Sequence, residues 1–163
     1  NLEAAVAAIC NAQRVEFYGF GASAAVAFDA QHKFFRLQIT SAAYSDPHLQ
    51  NMSATSLHAG DVVVAISQSG RTKALLDSMD LVKRAGGIVI GLAPSNSPIA
   101  RKADIAIEVN AKEDIQIYTP LSSRIAHLAV LDVLAIGVAQ KKGPQLDAHL
   151  QQLQAGLASL RSD

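Results

Sequence analysis

The sequence lacks several features that would place it in a specialised class. Its 163 residues include one cysteine, Cys10, and no tryptophan. One cysteine excludes a disulfide-stabilised secreted scaffold, and its place among alanines in a predicted helix favours packing over chemistry. The formal net charge of +0 lacks the basic excess of nucleic-acid-binding domains. No uninterrupted apolar run approaches the roughly 18 to 20 residues that span a bilayer. We therefore expect a soluble, cytoplasmic domain that by itself binds neither DNA nor a membrane.

Short apolar runs alternate with helical patterns along the chain, whose length suits one domain of residues 1–163. The runs predict strands at residues 14–18, 37–43, 62–66, 88–92 and 103–109, the last being less apolar and so nearer an edge. Helical periodicity fills the intervals, and a short helix precedes the first strand. This alternation predicts a three-layer α/β fold, with a five-stranded parallel sheet and helices on both faces.

The stretch from residue 62 to residue 76 carries the most informative pattern. A β-branched run typical of a doubly buried strand gives way to a polar turn at residues 67–72 and then to helical spacing. Backbone N–H groups converge in such a turn at the positive end of the following helix, which favours an anion. Ser67, Ser69 and Thr72 add hydroxyl donors, and Gly70 lets the backbone approach a phosphate closely. The alternative is that Ser69 and Thr72 only cap the helix.

A second glycine and serine loop follows the first predicted strand. Its sequence, Gly-Phe-Gly-Ala-Ser at residues 19–23, differs from the GxGxxG pattern of dinucleotide sites, so no dinucleotide is predicted, nor any other cofactor or metal. Ser23 is instead expected to bring a further hydroxyl to the same anion, unless it is an ordinary N-cap. Two such loops on neighbouring strands predict a switch point between them and the flavodoxin-like strand order 2-1-3-4-5.

Three cationic side chains are further candidates for ligand binding. His48 follows Pro47 at the predicted carboxyl edge of the sheet, where an exposed loop histidine is equally compatible with the pattern. Arg124 and His127 are three residues apart in the first turn of a helix and could point together into the pocket. The alternative for Arg124 is a surface ion pair.

The last two predicted helices suggest contacts with another subunit. The helix from about residue 122 to residue 138 is apolar around most of its circumference, so its outer face is a candidate subunit contact. The final helix carries a heptad-like seam, which could pack on its own domain or pair with a second subunit. The seam consists of Leu146, Leu150, Leu153, Leu157 and Leu160. We expect a homodimer or a higher homo-oligomer.

The two loops resemble those of the sugar isomerase (SIS) domain, a flavodoxin-like module that binds phosphosugars. Gly21-Ala22-Ser23 supplies one loop, and residues 67–72 are close to the S-x-S-G-x-T pattern of that family. Finer features are similar to the effector domain of RpiR-type bacterial transcriptional regulators. These features are the segment DAQHKFF at residues 29–35, Asp46-Pro47-His48, and the segment SSRIAH at residues 122–127.

The resemblance implies a phosphorylated sugar acid as ligand, with 2-keto-3-deoxy-6-phosphogluconate as the specific expectation. The implied phosphate contacts are the hydroxyls of Ser23, Ser67, Ser69 and Thr72 and the backbone of Gln68, Gly70 and Arg71. The implied contacts at the sugar and carboxylate end are Gly21, Ala22, His48, Arg124 and His127. A guanidinium suits a carboxylate because its fork binds both oxygens, so Arg124 is the expected reader of the acid, with Lys33 or Arg71 as lesser candidates.

The resemblance also bears on DNA. RpiR-type regulators have an N-terminal helix-turn-helix domain, which is absent from this chain. The chain begins at Asn1 without an initiator methionine and is expected to be an excised domain. Contact with DNA is therefore implied only through the missing domain.

Two classes of function remain open from the sequence. The first is a sensor of carbohydrate catabolism, in which ligand binding changes how a dimer presents its DNA-binding domains. The second is an aldose–ketose isomerase of phosphosugars, which would need a base near the carbon acid. The candidate bases are Glu108, Glu113, His48 and His127.

Overall fold

A computed structural model of the chain describes residues 1–112 and 121–160. The strands are β1 (Val15–Gly19), β2 (Ser41–Tyr44), β3 (Val62–Ile66), β4 (Ile88–Ala93) and β5 (Ile105–Glu108). The helices are α1 (Leu2–Asn11), α2 (Ala22–Arg36), α3 (Pro47–Thr55), α4 (Lys73–Arg84), α5 (Pro98–Lys102), α6 (Ser122–Lys142) and α7 (Pro144–Ala158).

The five strands form one parallel sheet in the order β2-β1-β3-β4-β5, which confirms the predicted fold and strand order. The chain leaves β1 for β2 on one side and returns to β3 on the other, so the switch point lies between β1 and β3. Gly19 at the end of β1 pairs with Ile66 at the end of β3. The two polar loops that follow these residues therefore begin side by side.

The central strand β3 is buried on both faces, as its uninterrupted apolar run predicts. Val62, Val64 and Ile66 join the core shared with α1, α2 and α6, whereas Val63 and Ala65 join the core shared with α3, α4 and α5. Because β3 packs against a core on each face, it is a rigid support for the loop that starts at Ser67.

The prediction of a strand over residues 37–43 is wrong at its start. The strand begins at Ser41, because Leu37 ends α2 and Gln38 adopts a φ of +57°, which breaks the extended chain. Leu37 and Ile39 are nevertheless buried. Their apolar character reflects packing beneath the end of α2 and not pairing in the sheet.

The helix α6 packs against α1 and α2 and ends at Lys142, with Gly143 as its C-cap. By length and composition alone it could cross a membrane. A core helix of a folded domain meets the same criteria, and one face of α6 is buried here. That face consists of Ser123, His127, Leu131, Leu134 and Val138.

Candidate functional site

A small polar cavity lies where β1 and β3 end. Its volume is about 130 Å³, and both polar loops contribute to it. It is lined by Phe20, Ala22, Ser23, Ile66, Ser67, Gln68, Ser69 and Thr72. A larger groove of about 530 Å³ lies between α1 and α6, but its lining is mainly apolar and it is not at the strand ends. Ligands of open α/β sheets bind at the carboxyl ends of the strands, so the smaller cavity is the candidate site.

Hydrogen bonds within the second loop hold its hydroxyl groups at the cavity. The buried Ser67 Oγ accepts the N–H of Gly70 at 3.0 Å and lies 3.3 Å from the Thr72 hydroxyl. Ser69 Oγ accepts the N–H of Arg71 at 3.2 Å. These bonds hold the loop in place. The Ser69 hydroxyl keeps a hydrogen that it can donate to an anion, and so does whichever of Ser67 and Thr72 accepts in the bond between them.

The hydroxyl of Ser23 approaches the same cavity from the first loop. Ser23 is 7% exposed, and its hydroxyl makes no hydrogen bond to the residues that the structure describes. Gly19 and Gly21 explain how the serine reaches this position. A Cβ at Gly19 would lie 2.5 Å from the Ser23 carbonyl oxygen, and Gly21 has a φ of +54°, in the region that favours glycine.

The two helices that begin at the cavity have no side-chain cap, as is also the case for α1, α6 and α7. Asp46 and Ser97 cap α3 and α5 with side-chain hydrogen bonds to backbone N–H groups. The helices α2 and α4 have no such side-chain bond. Neither the Thr72 nor the Ser69 side chain therefore caps α4, so the capping alternative does not hold. In α2 the N–H groups of Ser23 and Ala24 donate to the carbonyl oxygens of Phe20 and Gly21. The positive ends of α2 and α4 nevertheless lie at the same cavity.

Gly70 is required by a neighbouring loop. It has a φ of +63°, and a Cβ there would overlap the side chain of Ser97 in the loop after β4. The N–H of Ile99 also donates to the Gly70 carbonyl oxygen at 3.0 Å. The prediction assigned the missing Cβ to the approach of a phosphate. The structure shows a second reason for the missing Cβ, the close contact with the loop that contains Pro94 and Ser97.

His48 lies in the first turn of α3, exposed and at the carboxyl edge, but it does not line the cavity. The helix that carries it is anchored through a buried carboxylate on β1. Glu16 accepts hydrogen bonds of 2.6 Å from both Tyr18 and Ser53, and Arg14 Nε lies 3.2 Å away. Burial, together with the nearby Glu16 carboxylate, raises the pKa of Tyr18, so the phenol stays a donor. This network fixes α3 against β1.

The first turn of α6 lies beside the first turn of α2. Lys33 contacts Asp132, and Lys142 Nζ donates to the Gln38 carbonyl oxygen at 3.1 Å. Gln38 lies further along the chain than Lys33, and its partner Lys142 likewise lies further along than Asp132. The helices α2 and α6 therefore run in the same direction. The start of α6 is therefore at the carboxyl edge, the level of Ser23.

Arg124 and His127 do not point the same way, contrary to the prediction. Arg124 is exposed and makes no ion pair with the described residues, whereas His127 is only 1% exposed. Among those residues the His127 Nε2 atom has no hydrogen-bond partner. Burial lowers the pKa of His127 from 6.5 to about 4, so at neutral pH the imidazole is uncharged. It cannot supply a positive charge to a carboxylate there.

The pKa of His127 predicts a loss of stability in mild acid. The unfolded chain takes up a proton near pH 6.5 that the folded chain resists down to about pH 4. The free energy of unfolding should therefore fall as the pH drops through this window, by about 1 kcal/mol between pH 7 and pH 5.5. Urea unfolding at both pH values would measure it. His127→Leu should reduce the difference by that amount, whereas His48→Leu, at an exposed histidine, should not. An equal pH dependence of the free energy of unfolding in all three proteins would contradict the lowered pKa of His127.

Neither Lys33 nor Arg71 lines the cavity. Arg71 is exposed in the loop next to the cavity. Lys33 lies eleven residues beyond Ala22, roughly 16 Å along α2. It is held there by Asp29 at 2.8 Å and by Asp132. The structure thus gives Lys33 a role in joining α2 to α6. Arg71 makes no ion pair with the described residues and does not line the cavity.

The predicted set omitted Phe20 and Ile66, which also line the cavity. Phe20 stands between the two glycines of the first loop, and Ile66 ends β3, so both could have been included as members of the same loops. Across residues 1–112 and 121–160, no group of three or more histidine, cysteine or acidic side chains could hold a metal ion. Glu113 lies outside the described residues.

Comparison with known proteins relates this chain to one family. Residues 8–137 match the SIS domain family. The chain is 41% identical over 160 residues to the "HTH-type transcriptional regulator HexR" of Pseudomonas aeruginosa, covering 98% of this chain and 56% of that protein. It thus spans a little over half the length of this curated relative.

Two further similarities concern another curated protein and a solved structure. The chain is 44% identical over 142 residues to "Bifunctional protein glk" of Burkholderia thailandensis, covering 87% of this chain and 22% of that protein. The structure of Vibrio vulnificus NanR complexed with ManNAc-6P superposes with a TM-score of 0.90 at 23% identity. It covers 99% of this chain and 61% of NanR. At that identity the superposition supports the fold alone.

Proposed function

This chain belongs to the SIS domain family, and we propose that it is the ligand-sensing effector domain of a bacterial regulator of carbohydrate catabolism. In this proposal the cavity between β1 and β3 binds the phosphate of a phosphorylated sugar acid. The match of residues 8–137 to the family and the 41% identity to a regulator support this function.

The observation that carries the proposal is the pair of helices without side-chain caps at one cavity. The positive ends of α2 and α4 and the hydroxyls of Ser23, Ser67 and Thr72 surround a single small volume. A phosphate dianion satisfies many donors at once and gains from both helix dipoles. An apolar ligand would leave these donors without partners, which costs free energy.

The size of the cavity supports a head group and not a whole sugar. Its volume of about 130 Å³ is below the roughly 300 to 1,000 Å³ of pockets that enclose drug-sized ligands. The sugar acid would extend from it along the carboxyl edge. Arg71, Arg124 and His48 are exposed at that edge and are available to the carboxylate. We propose 2-keto-3-deoxy-6-phosphogluconate as the ligand, with Arg124 as the main residue that binds its carboxylate.

The isomerase alternative lacks a positioned base among the residues that the structure describes. The cavity lining there contains no carboxylate and no imidazole. Glu108 is exposed and accepts a hydrogen bond from Ser95 at 2.8 Å, and His127 is buried. A base must lie within hydrogen-bond reach of the proton that it removes. The sensor is therefore the better supported function.

The proposal extends to the whole protein. The relative from Pseudomonas aeruginosa is named an HTH-type regulator and is longer than this chain. We propose that DNA contact belongs to a helix-turn-helix domain outside the sequence described here, and that the protein acts in the cytoplasm. Because α2 and α4 both begin at the cavity, a bound phosphate would act directly on two elements of the fold.

A solvent-exchange experiment separates the sensor from the isomerase. The chain is incubated in deuterated water with 2-keto-3-deoxy-6-phosphogluconate, and in parallel with an aldose phosphate and a ketose phosphate. We expect the sugar acid to raise the melting temperature, with no deuterium entering carbon positions of any of the three. Deuterium incorporation that Ser67→Ala abolishes would reject the sensor in favour of the enzyme.

A further inference from the structure

The helix α3 exposes its large apolar side chains and buries a polar one. Leu49 and Met52 are 49% and 57% exposed, whereas the buried residues of the helix are Gln50 and Ala54. The apolar area that α3 buries against the sheet is therefore small, and so is the stabilisation that it provides. Hydrogen bonds, which depend on distance and direction, decide where this helix lies.

Polar contacts join alternate residues at β1 to successive turns of α3. We call these contacts the β1–α3 ladder. They are Tyr18 Oη to the Gln50 carbonyl oxygen at 3.3 Å, Ser53 Oγ to Glu16 Oε1 at 2.6 Å, and an Arg14 guanidinium nitrogen to the Ser56 carbonyl oxygen at 3.3 Å. The contacts are spaced by two residues along the strand and by three along the helix, so each series lies on one face of its element.

Glu16 is the centre of the β1–α3 ladder. Its side chain is fully buried, and its Oε1 atom lies 3.2 Å from Arg14 Nε and accepts the Ser53 hydroxyl. Its Oε2 atom accepts the Tyr18 hydroxyl at 2.6 Å. If α3 shifted by one residue along the strand, the buried carboxylate would lose its Ser53 donor, which costs free energy. The carboxylate therefore fixes the position of α3 along β1.

The β1–α3 ladder ends beside the candidate site. Tyr18 lies one residue before Gly19, where the loop that contains Ser23 begins, and Gln50 lies two residues after His48. The Gln50 side chain also donates to the carbonyl oxygen of the last residue of β2 at 2.8 Å. These contacts set the position of His48 relative to the loop that carries Ser23.

We propose that Glu16 is a positioning residue, which holds α3 on β1 and thereby places His48 for the part of the ligand that extends beyond the phosphate. This inference rests on the proposed function, because it requires a ligand whose phosphate occupies the cavity. Glu16 does not line the cavity. The strand β1 is paired with β2 and β3 through its backbone, so the phosphate site keeps its place when the Glu16 side chain changes.

NMR titration with two probes, 2-keto-3-deoxy-6-phosphogluconate and inorganic phosphate, tests the proposal on a matched pair of variants. Glu16→Gln keeps an oxygen for Ser53 and Arg14, whereas Glu16→Leu has a similar size and no acceptor. Glu16→Leu is expected to weaken binding of the sugar acid at least roughly 10-fold, the effect of one lost hydrogen bond, without weakening phosphate binding. Glu16→Gln should bind both probes like the unmodified chain, and the amide spectra show whether each variant is folded.

Ser53→Ala tests the same contact from the side of α3, and it decides the result if Glu16→Leu does not fold. It removes the helix donor but leaves Glu16 its contacts with Tyr18 and Arg14. We expect the same selective loss of affinity for the sugar acid. Thr55→Ala is its control, because the Thr55 hydroxyl donates within α3, to the Asn51 carbonyl oxygen at 2.7 Å. This control should leave both affinities unchanged.

A double-mutant cycle shows whether the effect passes through His48. If it does, His48→Ala weakens sugar-acid binding, and adding Ser53→Ala causes no further loss. Three results would overturn the proposal: equal losses for both probes, losses that multiply in the double variant, or full sugar-acid affinity in both Glu16→Leu and Ser53→Ala. Phosphate binding that Ser67→Ala leaves unchanged would instead contradict the proposed function and remove the basis of this inference, so the two failures are distinguishable.

Discussion

Gly70→Ala is expected to lower the free energy of unfolding by about 3 kcal/mol. Two costs add at this position. The backbone has a φ of +63°, and the new Cβ would overlap Ser97. Ser97 is 4% exposed and caps α5 by accepting the N–H of Ala100 at 3.2 Å, so it cannot move away without losing that bond. Urea unfolding of the two proteins measures the difference.

Two further variants separate the two costs at Gly70. Gly21 has a φ of +54° but no atom near its hypothetical Cβ, so Gly21→Ala should carry only the backbone cost of about 1 to 2 kcal/mol. Adding Ser97→Gly to Gly70→Ala removes the atoms that overlap and should restore part of the stability. A Gly70→Ala variant as stable as the unmodified chain would contradict the close contact between the two loops.

Ser67→Ala is expected to abolish most of the stabilisation that a phosphosugar confers. A ligand at 100 times its dissociation constant stabilises a protein by about 2.7 kcal/mol. The variant loses a hydroxyl donor to a charged group, and Gly70 loses the acceptor of its N–H. If affinity falls 100-fold, about 0.4 kcal/mol of the ligand effect remains. Thermal or urea unfolding with and without 2-keto-3-deoxy-6-phosphogluconate measures the effect, and Ser23→Ala should behave similarly.

Ser78→Ala is the matched control for this prediction. Ser78 is a fully buried serine of α4 whose single hydroxyl hydrogen is shared between Asn51 Oδ1 at 2.8 Å and the Ala74 carbonyl oxygen at 3.0 Å, and it does not line the cavity. Its replacement should lower the stability of the free chain yet leave the ligand-induced increase intact. A full ligand effect in both Ser23→Ala and Ser67→Ala would rule out the phosphate assignment.

The sheet and the position of the cavity could be predicted because they depend on local patterns. A doubly buried strand such as β3 has no polar positions, and the change to hydroxyl and glycine residues marks where it ends. Strand order followed from one further step. Two polar loops can share a ligand only if β1 and β3 are neighbours, which requires the switch point between them.

The side-chain environments at the site could not be predicted in the same way. Residues 37–39 are apolar because α2 ends over them, and a pattern of apolar residues does not distinguish that packing from a strand. Arg124 and His127 have the spacing of a shared face, yet only one side of α6 is covered, by α1, α2 and the core against the sheet. The exposure of Arg124 and the burial of His127 therefore depend on the neighbouring elements. The same holds for Gly70, whose partner Ser97 lies on the next strand's loop.

Isothermal titration calorimetry with two matched ligands tests the central claim most directly. The chain is titrated with 2-keto-3-deoxy-6-phosphogluconate and with the same sugar acid lacking its phosphate. The phosphorylated compound is expected to bind at least roughly 100-fold more tightly, and the Ser23→Ala/Ser67→Ala double variant should lose that discrimination. Equal affinity for the two compounds, or full discrimination in the double variant, would contradict a phosphate site between β1 and β3.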